Sequence, residues 1–322
     1  MTANLPTPTI RYVEANGQTF AVDEMGDGDT LALCLHGFPE SRHSWRAQLP
    51  LLAKLGYTAW APDLRGYGDT TRPKGVKNYL IDTLCDDVAA LIDASGKSKV
   101  VLIAHDWGGA IAWSFVMQQL RPLDKFIVMN LPHPQKMQER MKQGSKQLFR
   151  SWYIFFFQIP WLPEFMMKLG KARFIRQAFL GMAIDKRRFP KEVLDHYADN
   201  ARKPGALTAM VNYYRGLIRG GGSERMKDKQ IDIIDVPTLM IWGEEDTALD
   251  ISTTYNTDEL VSDFTIRYVP NVSHWVQQEA PEVVNAIMEA WLTGQPVPEA
   301  ITLDPRLESR DRVESEPYRE PA

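Results

Sequence analysis

The sequence predicts an α/β fold, a mostly parallel twisted sheet with helices on both faces, interrupted by an inserted helical cap. Three observations predict it. Short apolar runs from Leu31 to Leu35, Tyr57 to Ala61, Val100 to Ile103, Lys125 to Met129, Val236 to Trp242 and Phe264 to Val269 read as strands. Amphipathic helical patterns separate most of these runs, which is the signature of a parallel sheet covered on both sides. The alternation stops at Pro132-His-Pro134 and resumes after about Gln230, with helical and aromatic segments but no strand pattern between. At 322 residues and 44% hydrophobic content the chain is long enough to bury a full core.

Taken in order, Met1 to Pro8 has neither a basic n-region nor an apolar core, so no signal peptide is read and a cytoplasmic location is expected. Thr9 to Val22 alternates as two strands joined at Asn16-Gly17, a hairpin turn signal. After the strand Leu31 to Leu35 comes His36-Gly-Phe-Pro39. Trp45, Leu49, Leu52 and Leu55 then fall at helical spacing, with Gly56 as the stop before Tyr57 to Ala61. Asp63-Leu-Arg-Gly-Tyr-Gly68 is a glycine-punctuated loop, and Leu80, Leu84, Val88 and Leu91 mark the next amphipathic helix. Val100 to Ile103 runs into His105-Asp-Trp-Gly-Gly109 and a helix reaching about Leu120. After the insertion, Val283, Val284, Ile287, Met288 and Trp291 describe a closing helix. From Gly294 onward proline and mixed charge prevail, which predicts a mobile tail. The expected division is therefore a core of 1–132 and 231–293, a helical cap at 133–230 and a flexible tail at 294–322.

Charge and composition narrow the function. The cap carries 20 Lys and Arg against 8 Asp and Glu, or +12, and since the whole chain is −4 the remainder carries −16. A solvated helical face partly paired with the acidic core takes precedence over the alternative, contact with an anionic membrane or partner surface. The basic residues are dispersed, with no nucleic-acid-binding signature. No run reaches the roughly 18 apolar residues of a spanning helix. Cys34 and Cys85 read as reduced core residues, and neither they nor the six histidines show metal-ligand spacing.

The chemistry is expected at Asp106. A buried strand turns sharply there into an apolar helix, and Ala104, Gly108 and Gly109 are small where backbone must press on backbone, as a nucleophile elbow requires. The helix N-terminus favours negative charge at that bend. The plainer reading makes Asp106 an ordinary N-cap. His36-Gly-Phe-Pro39 before it, and Asp246 and His274 after it, decide between the two. Each follows an expected strand, and the order nucleophile, acid, histidine is that of the α/β-hydrolase fold.

His36-Gly-Phe-Pro39, Arg65-Gly-Tyr-Gly68, His105-Asp-Trp-Gly-Gly109, Gly243-Glu-Glu-Asp246 and Ser273-His-Trp275 together resemble the epoxide hydrolase branch of the α/β-hydrolase superfamily, close to the haloalkane dehalogenases. The resemblance extends over nearly the whole chain up to the tail. It implies Asp106 as nucleophile, His274 as the base that activates water, and Asp246 as the acid that orients it. Ala104 stands where many relatives carry Gly. Asn130 stands where some relatives carry the acid, and an amide cannot serve as one. The resemblance also implies two cap tyrosines that hold and protonate an epoxide oxygen, Tyr153 ahead of Phe157-Gln158 and Tyr214 before Arg215. The plainer readings are aromatic packing for Tyr153 and a helix-surface position for Tyr214. A dehalogenase would want halide donors, for which Trp107 is present but Phe38 offers no side-chain N–H. A catalytically silent binding protein would have lost a triad member, and none is missing.

The expectation is thus an epoxide hydrolase acting on a hydrophobic epoxide and water without cofactor or metal. Backbone N–H groups of Phe38 and Trp107 would form the oxyanion hole, and Phe38, Trp107 and Trp152 would touch the substrate. His36 and His105 are expected to make structural hydrogen bonds.

Overall fold

The computed structural model describes residues 7–143, 147, 150–227 and 232–303. Eight strands form one sheet: β1 (Thr9–Ala15), β2 (Gln18–Met25), β3 (Thr30–Leu35), β4 (Tyr57–Pro62), β5 (Lys99–His105), β6 (Lys125–Met129), β7 (Thr238–Gly243) and β8 (Phe264–Val269). Their order is β1-β2-β4-β3-β5-β6-β7-β8. β2 is antiparallel to both β1 and β4, and all later pairs are parallel. At the hairpin tip Asn16 and Gly17 both take positive φ, 45° and 68°, the backbone that a two-residue primed turn demands.

Alternate residues of each strand serve opposite layers, which is why the central runs are apolar throughout. Val100, Leu102 and Ala104 pack with Leu84, Val88, Ile111 and Trp113 of α2 (Ile81–Ser95) and α3 (Trp107–Met117). Val101 and Ile103 face the other way, toward Leu49 and Leu52 of α1 (Gln48–Lys54) and Val284 and Ile287 of the closing helix Pro281–Leu292. Cys34 and Cys85 are buried, free and in separate layers.

The chain leaves β3 toward β4 on one side, but its return places β5 on the other. The loops after β3 and β5 therefore part, opening the crevice where open α/β sheets place their ligands. Over that crevice lies the segment between β6 and β7, which holds no strand among the described residues. Its helices are α4 (Pro134–Lys142), α5 (Trp152–Phe156), α6 (Leu162–Met182), α7 (Lys191–Arg202) and α8 (Ala206–Gly220). Left-handed backbone at Gly170, Lys171 and Ala172 breaks α6 into two helical halves. The cap is tied to the core by specific bonds. Tyr213 donates to the Arg65 carbonyl (2.8 Å), Tyr197 to Gln278 Oε1 (2.7 Å), and the Ile184 and Asp185 N–H groups to Glu279 Oε1 (2.8 and 2.7 Å). At Gly216 a Cβ would stand 2.4 Å from the Tyr79 carbonyl oxygen, so α8 lies against the core at the limit that glycine permits.

The stretch from Gly294, expected to open a mobile tail, is held against the core as far as Leu303. Arg267 Nη2 donates to the Val297 carbonyl (2.7 Å), Ala300 is buried, and Ala300–Leu303 is helical. Backbone carbonyls, the Arg267–Glu299 ion pair (3.4 Å) and the side chains of Val297 and Ala300 anchor this stretch; residues 304–322 lie outside those described. No helix among the described residues is long and apolar enough to cross a membrane.

Candidate active site

Asp106 sits at the strand-to-helix bend with φ 48° and ψ −121°, a conformation that costs a non-glycine residue free energy and is held by its surroundings. Those surroundings are small by necessity. A Cβ on Gly108 would lie 2.2 Å from the Leu35 carbonyl oxygen, and one on Gly109 2.9 Å from Leu131 Cβ. A Cβ on Gly37 would lie 2.4 Å from both Cβ and Oδ1 of Asp106 itself. Ala104 is buried, paired with Leu35 and Val128.

Asp106, Asp246 and His274 come together although 168 residues separate the first from the last. His274 Nδ1 is 2.6 Å from Asp246 Oδ2, and its Nε2 is 3.4 Å from Asp106 Oδ2. The other nucleophile oxygen, Oδ1, accepts from the Phe38 backbone N–H at 2.6 Å. Asp246 is fully satisfied: Oδ1 accepts from the Ala248 and Leu249 N–H groups (2.7 and 2.9 Å), and Oδ2 from His274 and from Asn130 Nδ2 (2.8 Å). Burial disfavours the imidazolium of His274, but Asp246 and Asp106 outweigh it and push its pKa up to about 10. Burial likewise works to raise the Asp106 carboxyl, yet His274 and the Phe38 N–H hold it below its ordinary value.

A cavity of about 290 Å³ opens above this group, lined among others by Phe38, Asp106, Trp152, Tyr153, Tyr214 and His274. The two tyrosine rings meet edge to face, with centroids 5.7 Å apart. Burial first, and for both residues the Asp106 charge as well, raises the phenol pKa values, so both hydroxyls stay protonated at neutral pH. Among the described residues no protein acceptor takes either proton. Of the residues expected to touch substrate, Phe38 and Trp152 line the cavity. Trp107 does not: its ring packs edge-on against Tyr213 and Tyr214, at 5.4 and 5.0 Å.

The structure adds one residue that the sequence did not single out, Glu40, to three that it did, His36, His105 and Asn130. Glu40, fully buried, accepts from the Gly37 N–H (2.7 Å), Gln277 Nε2 (2.9 Å) and Gln278 Nε2 (2.7 Å), and lies 2.8 Å from His105 Nδ1. Burial raises its carboxyl, but His105 and His36 bring the net shift below the ordinary value. His105 Nε2 donates to the His274 carbonyl (2.8 Å), so the Glu40–His105 pair links the loop after β3 to the loop that carries His274. His36 accepts from the Leu64 N–H through Nε2 (3.0 Å), and its Nδ1 donates to the Gly37 carbonyl (2.9 Å). Asn130 closes the set, accepting from the Gly243 N–H (2.9 Å) while donating to Asp246. A carboxylate directly after His-Gly-Phe-Pro was the available signal for Glu40; nothing local foretold its partners.

Over residues 32–281 the sequence matches the family described as alpha/beta hydrolase fold. Epoxide hydrolase 4 of Mus musculus is 37% identical over 295 residues, covering 90% of this chain and 80% of that protein. The AB hydrolase superfamily protein YfhM of Bacillus subtilis is 35% identical over 286 residues, 88% of this chain and 98% of its own. Among solved structures, an epoxide hydrolase from Bacillus megaterium in complex with an inhibitor superposes with a TM-score of 0.79 at 27% identity, covering 88% of this chain and 100% of that one. A variant of the same enzyme, solved with a naphthyloxy-propanediol described as its product, gives the same TM-score at 28% identity and the same coverage. On these matches the chain belongs to the alpha/beta hydrolase fold family, in its epoxide hydrolase branch, and is a hydrolase.

Proposed function

We propose that the protein converts a hydrophobic epoxide to a vicinal diol through a covalent ester on Asp106. The observation that carries this reading is the pairing of two protonated phenols, Tyr153 and Tyr214, with an ionised carboxylate around one cavity. An epoxide needs a nucleophile at carbon and an acid at the departing oxygen together, because an alkoxide leaves poorly. A halide needs no proton, and a dehalogenase would want the Trp107 indole in the cavity rather than against Tyr213 and Tyr214.

Each atom then has a part. Oδ2 of Asp106 attacks a ring carbon, the carbon–oxygen bond breaks, and a tyrosine gives its proton to the oxygen. Oδ1, already held by the Phe38 N–H, becomes the ester carbonyl oxygen. His274, oriented by Asp246, takes a proton from water, and the hydroxide adds to the ester carbon. The oxyanion forms on Oδ1, where the Phe38 and Trp107 N–H groups stabilise it. Its collapse breaks the bond from the carboxyl carbon to Oδ2, and the departing Oδ2 takes a proton from His274. The diol leaves while the added hydroxyl gives its proton to His274, so that Asp106 is again a carboxylate. No step calls for a cofactor. Phe38, Phe157 and Trp152 around the cavity favour an apolar, aromatic-bearing epoxide, consistent with the aryl-ether diol bound by the Bacillus megaterium relative.

The test is to trap the ester. In His274→Gln the first step should proceed and the second stall, so incubation with styrene oxide should leave an adduct on the Asp106 peptide, read by mass spectrometry. Parent protein in heavy-oxygen water should form its first equivalent of diol unlabelled, because the new oxygen comes from Asp106. Immediate label in the diol, with no adduct in the variant, would refute the ester.

A further inference from the structure

The cap turns an apolar face outward where a helix ordinarily hides one. In the first half of α6, Leu162, Phe165, Met166 and Leu169 recur at the i, i+3, i+4, i+7 spacing of a core-facing stripe, yet all four are exposed, Phe165 by 63%. Pro163 and Met167, on the opposite side, are the buried ones. Trp161 just before them is 82% exposed, and Trp152 and Phe155 of α5 are exposed as well. Beyond the left-handed residues, Phe174 and Ile184 continue the exposed apolar surface.

The charges on this stretch have one sign. From Trp152 to Ile184 the exposed charged residues are Lys168, Lys171 and Arg173, none of which has an ion-pair partner among the described residues. The only carboxylate in the stretch, Glu164, is paired with Arg215 at 2.6 Å. We infer that the cap docks on an anionic lipid surface through Trp161, the outward stripe of α6 and these three cations.

An outward apolar stripe with tryptophan and flanking cations fits a leaflet that is apolar within and negative at its surface. Other occupants fit less well. Two copies meeting through this face about a twofold axis would set the same cations against each other. The chain's own residues 304–322 contain only Leu307, Val313 and Tyr318 as large apolar side chains and are net acidic by two, too little to cover the stripe. The geometry gives the contact a use: Trp152 and Phe174 belong both to the exposed face and to the lining of the cavity that holds Asp106. A docked cap therefore turns the cavity toward the acyl phase, and an apolar ligand enters from lipid. The inference does not rest on the reaction at Asp106.

Sedimentation with vesicles tests it, using the full chain against phosphatidylcholine alone and against three parts phosphatidylcholine to one part phosphatidylglycerol. Binding should be strong to the mixed vesicles and at least about tenfold weaker to the neutral ones. Each basic residue near an anionic surface is worth roughly fivefold, so Lys168→Gln, Lys171→Gln and Arg173→Gln together should weaken binding about a hundredfold. Trp161→Ser, Phe165→Ser and Leu169→Ser together should weaken it at least about tenfold while leaving the thermal melt and turnover of a water-soluble epoxide unchanged, because these side chains face solvent and line no part of the site. Equal sedimentation of the parent and both variants would overturn the inference. So would absence of vesicle binding with a dimer in sedimentation velocity that the serine variant dissolves, since a second copy would then cover the face.

Discussion

Gly37→Ala puts the active-site geometry to a direct test. Gly37 does not take positive φ, so alanine is compatible with its backbone and the only obstacle is space. The new methyl would lie 2.4 Å from Cβ and Oδ1 of Asp106, about 1 Å inside ordinary van der Waals contact. Either the nucleophile or the loop after β3 has to yield by roughly that amount. Both movements separate Asp106 Oδ1 from the Phe38 N–H, now 2.6 Å away. A displacement of 1 Å in a reacting group costs about 10² in rate, and loss of one oxyanion donor costs about 10²–10³. The variant should therefore lose at least about 10² in kcat, while overpacking costs about 1–3 kcal/mol of stability. Stopped-flow turnover of an aromatic epoxide and urea denaturation measure the two effects. A variant within threefold of the parent in kcat, with an unchanged denaturation midpoint, would show that the site does not depend on this contact.

Other perturbations probe separate parts of the site. Tyr153→Phe and Tyr214→Phe should each slow ester formation, and the double variant should lose about 10²–10⁴, with sub-additive single effects because both phenols serve one oxygen and circular dichroism unaltered. Diol formation at the parent rate in the double variant would refute the acid role. Asn130→Asp replaces a donor 2.8 Å from Asp246 Oδ2 with a second carboxylate, so the protein should be destabilised at neutral pH and regain stability as acid protonates the pair, in denaturation curves taken across pH. His274 binds its proton more tightly folded than unfolded. Its stabilisation should therefore be complete below its ordinary value of 6.5 and fall away as pH rises through about 10, so the stability gap between the parent and His274→Gln should close over that window.

Much of this molecule is legible in its sequence because local signals and global fold agree. The strands announce themselves as apolar runs, and Asp106, Asp246 and His274 are each marked by following one. Direction is what local pattern does not carry. The spacing of Leu162, Phe165, Met166 and Leu169 identifies a helix face but is the same whether that face meets a core or solvent. Trp107 follows the nucleophile and so invites a substrate contact, yet the side-chain direction at the first turn of α3 sends its ring to Tyr213 and Tyr214. Glu40 is unreadable for a different reason: two of its donors, Gln277 and Gln278, lie more than 230 residues away. A buried carboxylate is tolerable only once those partners arrive.

In the proposed ester mechanism, the electrostatics of the site would set the order of the two chemical steps. In the resting protein His274 stands between two carboxylates, and together they hold a proton on it to about pH 10. An imidazolium cannot take a proton from water, so at neutral pH the base is initially switched off. The same charge, together with the Phe38 N–H, favours the ionised form of Asp106 that the proposed first step would use. Ester formation, as proposed, would remove the negative charge of Asp106 while leaving Asp246 and its four hydrogen bonds in place. One of the two charges that held the proton is then gone, and the pKa of His274 falls. On that mechanism the proton on Nε2 would leave toward the tyrosinate made when the epoxide oxygen is protonated, restoring the phenol and the neutral base together. Under the proposed mechanism, water would thus be activated only after there is an ester to attack.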